Sequence, residues 1–228
     1  MVELLRSEVI SIRKETNSLN CIQMTKPRDF SHVPGQYLQI FSQNGGGGKH
    51  LAIASHPDEN FLEFLINTRD ANFHDLCLLP VGSAVEISHA LGQGFSALKF
   101  TGKTVYLVSH GSGISAMKPF IQELRKNRNL YGSIRFIYGV RTHLDFPYRN
   151  LLRDWMGSIE LYDIISQNPD DMSLWTGETG RVQDVLAKIK PSPENSIAAI
   201  VGSPNMEKDI ISMLTGFGFK PEQILLNH

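Results

Sequence analysis

A change of pattern near residue 101 constrains the fold of this chain more than any other sequence feature. Before it, short stretches such as residues 8–13, 37–41 and 61–67 alternate apolar with polar residues, and clusters of Gly, Pro, Asn and Asp separate them. This alternation indicates antiparallel strands with one buried face. We expect about six strands, which suffice to close a small barrel that holds any ligand on its outside.

After residue 104 the pattern becomes one of continuous apolar runs, each followed by a segment of helical spacing. Residues 105–108 are apolar, a glycine-rich turn follows, and residues 114–127 carry apolar side chains at helical intervals. The cycle repeats three more times, and residues 224–226 supply a closing strand. We therefore predict an N-terminal six-stranded antiparallel β-barrel, residues 1–98, followed by an α/β domain with a five-stranded parallel sheet, residues 99–228.

The composition excludes several classes of protein. The chain has 22 Lys and Arg against 23 Asp and Glu, so it lacks the basic surplus that nucleic-acid binding requires. Its two cysteines, Cys21 and Cys77, are too few for a disulfide scaffold or an iron–sulfur cluster, and the eight histidines show no metal-ligand spacing. The start of the chain does not have the pattern of a signal peptide, and no apolar run is long enough for a membrane span. We expect a cytoplasmic protein without a metal, and any iron–sulfur cluster would belong to a partner.

The strongest local motif is His110-Gly111-Ser112-Gly113-Ile114-Ser115, which lies between an apolar strand and an amphipathic helix. At such a turn the glycines let the backbone approach a pyrophosphate, and the free amides at the helix start favour the anion. Ala116 takes the place of the third glycine of G-x-G-x-x-G, and no acidic residue ends the second strand. A tight turn without a ligand is the alternative interpretation.

Two further glycines are predicted to border the same cleft. Gly139 lies at the end of the second strand, and Gly202 follows the fourth strand in the run Val201-Gly202-Ser203-Pro204-Asn205-Met206. Ligands of open α/β sheets bind beyond the carboxyl ends of the strands, where these turns are expected to meet. Pro204 has a simpler explanation as a residue that starts a helix.

Six short motifs are spread over nearly the whole chain: Pro34-Gly35-Gln36-Tyr37, Ile53-Ala54-Ser55, Gly92-Gln93-Gly94-Phe95, Gly111-Ser112-Gly113-Ile114, Tyr138-Gly139-Val140-Arg141-Thr142 and Gly202-Ser203-Pro204-Asn205-Met206. As a set and in this order they resemble the ferredoxin–NADP(+) reductase superfamily, in which a flavin-binding barrel precedes a nicotinamide-dinucleotide domain. Residues 175–180 and 51–55 also resemble a branch that includes a plant fruit protein.

The family's flavin motif, R-x-Y-S, is altered in this sequence. It falls on Lys49, His50, Leu51 and Ala52, so the charge is kept, a stacking ring is replaced by an aliphatic group, and the hydroxyl is lost. The resemblance implies FAD or FMN as cofactor. The predicted flavin-side residues are Lys49, His50, Leu51, Ala52, Ile66, Asn67, Phe73 and His74.

On the dinucleotide side the resemblance implies NADH or NADPH. The Ser-Arg pair that holds the 2′-phosphate in some members falls on Ser166-Gln167, which favours NADH, although Arg181 is a second candidate cation. The predicted dinucleotide residues are Gly111, Ser112, Gly113, Ile114, Ser115, Gly139, Ser166, Arg181, Gly202, Ser203 and Met206.

The resemblance thus implies a flavin-dependent oxidoreductase that transfers hydride from NAD(P)H to flavin and passes electrons to a protein or small acceptor, such as an iron–sulfur protein. No residue is predicted as a catalytic acid, base or nucleophile. The altered flavin motif leaves an alternative: a degenerate reductase-like module that binds cofactor weakly or not at all and serves as a regulatory or structural component of an assembly.

Overall fold

The first half of the chain forms one antiparallel sheet. The computed structural model describes residues 4–41, 48–167 and 175–228. The six strands pair in the order β4-β3-β6-β1-β2-β5, and the backbone N–H of Ala54 donates to the carbonyl of Glu63 at 2.7 Å, which joins the segment after β4 to β5. The predicted six-stranded antiparallel sheet is confirmed. Its strands are β1 (Leu5–Lys14), β2 (Leu19–Thr25), β3 (Tyr37–Phe41), β4 (Lys49–Ala52), β5 (Phe61–Asn67) and β6 (Ala84–Ile87), with the short helix α1 (His74–Cys77) before β6.

Alternation along β3 and β4 decides what the sheet presents on each side. Leu38 of β3 and Leu51 of β4 are opposite each other in the register and are buried in the same hydrophobic core. Gln39 and His50, the next pair, lie on the other face. Because strand side chains alternate between faces, the outer surface of β3 and β4 is set by the polar and aromatic positions.

The second half forms a parallel sheet of six strands in the order β10-β9-β8-β7-β11-β12. The sequence pattern predicts five; the sixth, β10 (Glu178–Thr179), is two exposed polar residues paired with β9, so no hydrophobic pattern reveals it. The other strands are β7 (Thr104–His110), β8 (Ile134–Val140), β9 (Glu160–Ile165), β11 (Ser196–Val201) and β12 (Ile224–Leu226), and the helices are α2 (Ile114–Lys126), α3 (Arg149–Trp155), α4 (Val182–Ile189) and α5 (Pro204–Gly216).

The two halves share a hydrophobic core. Leu19, Cys21 and Leu65 of the antiparallel sheet belong to the same buried cluster as Phe120 of α2 and Leu107 of β7. The turn of residues 111–113 lies beside β5, at the junction between the halves. The division into residues 1–98 and 99–228 remains our proposal. Within the described residues no helix is both long and apolar enough to span a membrane.

Candidate functional site

A cavity of about 640 Å3 opens at the carboxyl ends of β7, β8, β9 and β11. Parallel α/β sheets bind their ligands at this edge. The residues that line the cavity come from the turns after these strands and from the first turns of α4 and α5. They include His110, Gly111, Gly139, Arg141, Ser166, Gln167, Arg181, Ser203 and Met206.

The turn after β7 depends on two glycines for different reasons. Gly111 has a φ of 54°, and a Cβ added to it would meet no atom within 4 Å, so its backbone faces open space. A Cβ on Gly113 would lie 2.6 Å from Ser109 Oγ and 2.9 Å from the carbonyl oxygen of Val201. Gly111 therefore leaves room for a ligand, whereas Gly113 lets the turn pack against β11.

The start of α2 has the properties of an anion site. Gly113 precedes the helix and makes no side-chain cap hydrogen bond, so the first helical N–H groups receive no side-chain acceptor. The hydroxyls of Ser109 and Ser115 are buried beside this turn without a hydrogen-bond partner among the described residues. The N–H of Ile114 bonds to the Ser112 carbonyl, so the turn of residues 111–113 continues into the helix, and the positive end of the helix dipole at this turn suits a pyrophosphate group.

Contacts between His110 and Ser203 connect the turn after β7 to the turn after β11. The backbone N–H of Ser203 donates to His110 Nε2 at 3.1 Å, and the Ser203 Oγ lies 3.3 Å from the same nitrogen. Burial lowers the pKa of His110, in agreement with its role as an acceptor. These residues are 93 positions apart, so no local sequence signal indicates the pairing.

Tyr138 of β8 stabilises the turn of residues 111–113. Its side chain is buried in β8, and its hydroxyl donates to the carbonyl oxygen of Gly111 at 2.7 Å. Burial raises the pKa of Tyr138 well above its ordinary value, so the hydroxyl stays protonated and remains a donor. Tyr138 thereby fixes the peptide plane of the residue that faces the cavity.

The cavity contains two arginines, although the sequence pattern assigns only Arg181 to it. Arg141 follows β8, and its Nε donates to Gln167 Oε1 at 2.6 Å. Its motif, Y-G-V-R-T, is recognisable in the sequence, but nothing in that pattern indicates that the guanidinium borders the cavity. Ser166 lines the same region.

The structure brings together most of the predicted dinucleotide residues. Gly111, Gly139, Ser166, Arg181, Ser203 and Met206 line the cavity. Ser112 is exposed on the turn, while Gly113, Ile114, Ser115 and Gly202 form the structure behind it, with Ile114 and Ser115 buried. The turns after β7, β8 and β11 all contribute to the cavity, but Gly202 lies behind Met206 and does not line it.

The predicted flavin-side residues divide between the core and the surface. The side chains of Leu51 and Ile66 are buried in the core of the antiparallel sheet, so a ligand on the outside would reach only their backbone atoms. Lys49, Ala52 and Phe73 are half-buried, and His50 and Asn67 are exposed. The side chain of His74 lies outside the described part of the chain.

The outer face of β3 and β4 presents aromatic rings. Tyr37 and His50 make an edge contact with ring centroids 5.4 Å apart, and Gln39 Nε2 lies 3.1 Å from His50 Nε2. Lys49, at the start of β4, is opposite Ile40 in the register and therefore lies on the face of Leu51 and not on the face of His50. The aromatic rings suit a flavin, although the family motif assigns Leu51 and not Tyr37 to the stacking position. Among the described residues no cluster of His, Cys, Asp and Glu could hold a metal ion.

Comparison with known proteins agrees with this geometry. Residues 107–211 match the family model for the oxidoreductase NAD-binding domain. The fruit protein pKIWI502 of Actinidia deliciosa is 30% identical over 85% of this chain, and the match spans 65% of that protein, just under two thirds of its length. The sulfhydrogenase 1 subunit gamma of Pyrococcus furiosus is 26% identical over 93% of this chain and 74% of its own length.

A solved structure shows the fold over the full chain. The ferredoxin NADP+ reductase of Neisseria gonorrhoeae, crystallised with bound FAD and NADP, superposes with a TM-score of 0.86 at 18% identity, covering 99% of this chain and 98% of that one. The predicted resemblance is confirmed as a likeness: residues 107–211 match the family model of the oxidoreductase NAD-binding domain, and the fold of the whole chain is similar to that of a ferredoxin NADP+ reductase.

Proposed function

We propose that the chain is a flavin-dependent oxidoreductase that takes hydride from NADH or NADPH and passes electrons to a protein or small acceptor. The observation that carries this proposal is the cavity at the carboxyl ends of β7, β8, β9 and β11, with the uncapped start of α2 and the open backbone of Gly111 at its edge. When bound, the flavin would supply the two-electron chemistry.

The residues of the cavity divide by chemistry. The amides at the start of α2, with Gly111 and Ser112, would bind the pyrophosphate. Gly139 and Met206 would border the nicotinamide half, and Gly202 lies behind Met206. Ser166, Arg141 and Arg181 would face the adenosine half, where guanidinium groups pair well with phosphate. The loss of the Ser-Arg pair favours NADH. The two arginines that line the cavity can pair with a 2′-phosphate, so the geometry itself does not favour NADH over NADPH.

The outer face of β3 and β4 would hold the flavin. Tyr37 and His50 offer rings to the flavin. These residues bind and orient; none is positioned here as an acid or base. Holding two reactants in a reactive geometry supplies roughly 7–11 kcal/mol of a barrier in favourable cases.

The electron acceptor is proposed to be another protein. One relative is named as a component of a sulfhydrogenase, and another, from Marinomonas, as a component of a Na(+)-translocating NADH-quinone reductase. Both names describe a chain that works within an assembly. By this analogy the present chain would deliver electrons to a partner such as an iron–sulfur protein.

The test is anaerobic reduction of the reconstituted protein. The purified chain is incubated with FAD or FMN, freed of unbound flavin, and mixed with NADH or NADPH without oxygen. The proposal predicts a yellow protein whose visible absorbance is bleached by at least one reduced dinucleotide. A protein that holds flavin but is bleached by neither would refute the proposal.

A second candidate is a module that has lost the redox reaction. Two observations favour it: Ala52 has no hydroxyl for a flavin nitrogen, and the Leu51 side chain lies in the core. A protein that stays colourless after reconstitution with both flavins would favour this module. Calorimetric titration with each dinucleotide would then show whether the cavity still binds one.

A further inference from the structure

A buried ion pair joins the two halves of the molecule. Lys118 of α2 and Glu63 of β5 are 6% and 3% exposed, and their Nζ and Oε1 atoms are 2.9 Å apart. Lys118 Nζ also donates to the carbonyl oxygen of Ala54 at 2.9 Å. A lysine buried to this degree occurs almost only where its charge is paired, so this contact is a specific feature of the interface.

Every oxygen of the Glu63 carboxylate has a partner. Tyr148 donates its hydroxyl to Oε1 at 2.8 Å, and Gln23 donates to Oε2 at 2.9 Å. Burial opposes ionisation of Glu63, but Lys118 and these hydrogen bonds outweigh it, so the pKa of Glu63 is lowered. Lys118 also lies 5.1 Å from the centre of the Tyr148 ring, and the network is fully satisfied.

The network links the two segments assigned to the two cofactors. Lys118 lies one turn into α2, the helix whose start would bind the pyrophosphate. Ala54 follows β4, the strand of Lys49 and His50, and its N–H bonds to the Glu63 carbonyl. Lys118 thus bonds to Ala54, which follows the strand assigned to the flavin, and to Glu63, whose backbone carbonyl accepts from Ala54. Farther along α2, Glu123 Oε2 contacts His56 Nε2 at 3.0 Å and Lys126 pairs with Asp58, so three side chains of the helix contact this segment.

We propose that Lys118 is a positioning residue that fixes β4 relative to α2 and so sets the placement of the nicotinamide against the flavin. This inference rests on the proposed function. The shared hydrophobic core holds the halves together but is not directional, whereas a buried ion pair specifies one arrangement. Hydride transfer is sensitive to that arrangement, since a displacement of about 1 Å costs on the order of 100-fold in rate.

The test compares Lys118→Met with Lys188→Met. Lys188 pairs with Glu178 on the exposed surface of the same half and serves as the matched control. In Lys118→Met we expect the rate of flavin reduction under anaerobic rapid mixing to fall by about 10- to 100-fold. The absorbance band of the nicotinamide–flavin contact should weaken as well, while the Kd values for both cofactors change little. The control should match the wild type.

A second variant separates positioning from folding. Glu63→Gln combined with Lys118→Met removes both charges of the buried pair and keeps an acceptor for Tyr148. Arg13, which lies 3.6 Å from Glu63 Oε2, keeps its ion pair with Glu15, so we expect most of the thermal stability lost in the single variant to return. The slow reduction should persist. If stability and rate recover together, Lys118 has only a structural role and the inference is overturned.

Amide hydrogen exchange measured without cofactors tests the position of β4 relative to α2 without relying on the redox reaction. In Lys118→Met the amides of Ala54 and Glu63 should exchange faster than in the wild type, and in Lys188→Met they should not. Unchanged exchange at these amides would overturn the positioning role even if the wild type reduces its flavin. A wild type that reduces no flavin would instead overturn the proposed function, and the exchange result would still decide whether Lys118 fixes β4.

Discussion

Replacing Gly113 by alanine tests the packing of the turn after β7. Gly113 has a φ of −60°, a value that alanine adopts freely, so the substitution carries no conformational strain. The new Cβ would lie 2.6 Å from Ser109 Oγ and 2.9 Å from the Val201 carbonyl oxygen. The serine hydroxyl can rotate, but the carbonyl belongs to β11 and cannot move without disturbing the sheet.

The size of the effect follows from these contacts. Overpacking in a closed site costs typically about 1–3 kcal/mol, and alanine returns part of this by restricting the unfolded chain, roughly 0.4–1 kcal/mol. We expect a net loss of about 1–2 kcal/mol in the free energy of unfolding. For a chain of this length that corresponds to a Tm lower by roughly 2–8 °C. Because the turn must shift, dinucleotide affinity should fall by about tenfold or more, a loss of about 1.4 kcal/mol.

The assay is thermal unfolding followed by calorimetric titration with NADH and NADPH. Gly157→Ala is the control, because a Cβ at that exposed position would meet no atom within 4 Å. Its stability should stay within about 0.5 kcal/mol of the wild type. If Gly113→Ala has the Tm and the dinucleotide affinity of the control, the packing described for this turn is wrong.

Three further results are expected. Tyr138→Phe removes the hydrogen bond to Gly111 and should cost about 0.5–1.5 kcal/mol in unfolding free energy, with weaker dinucleotide binding by calorimetry; unchanged values for both would contradict the support role. Because burial lowers the folded-state pKa of His110, the unfolded chain takes up the proton first, so stability is present above about pH 6.5 and falls below it. Denaturant midpoints measured across this range should depend less on pH in His110→Gln, and an equal dependence would refute the assignment. If the wild type binds 2′,5′-ADP, Arg141→Ala and Arg181→Ala should each weaken that binding in calorimetry, because each removes a guanidinium that pairs with phosphate; unchanged binding in both variants would refute this role.

The architecture can be predicted from the sequence because its signals are local. Continuous apolar strands followed by helical spacing define the parallel sheet, and the glycine turn after β7 can be located from its flanks alone. β10 escapes prediction because two polar residues form no pattern. The strand alternation of β4 places Leu51 in the core, and this overrides the position suggested by the family motif.

The contacts between distant residues could not be predicted. His110 meets Ser203 and Lys118 meets Glu63 across 93 and 55 positions of sequence, and only the assembled sheets bring them together. Arg141 illustrates the same limit at shorter range: its motif is recognisable, but the direction of its side chain depends on Gln167 at the end of the neighbouring strand.

The most direct measurement of the central claim is a hydrogen-exchange footprint of the bound dinucleotide. With saturating NADH or NADPH, protection should concentrate in residues 111–115, 139–141 and 202–206, the turns at the cavity. Subsequent addition of FAD or FMN should extend protection to residues 49–52. Protection at another surface, or none with either dinucleotide, would contradict the assignment of this cavity.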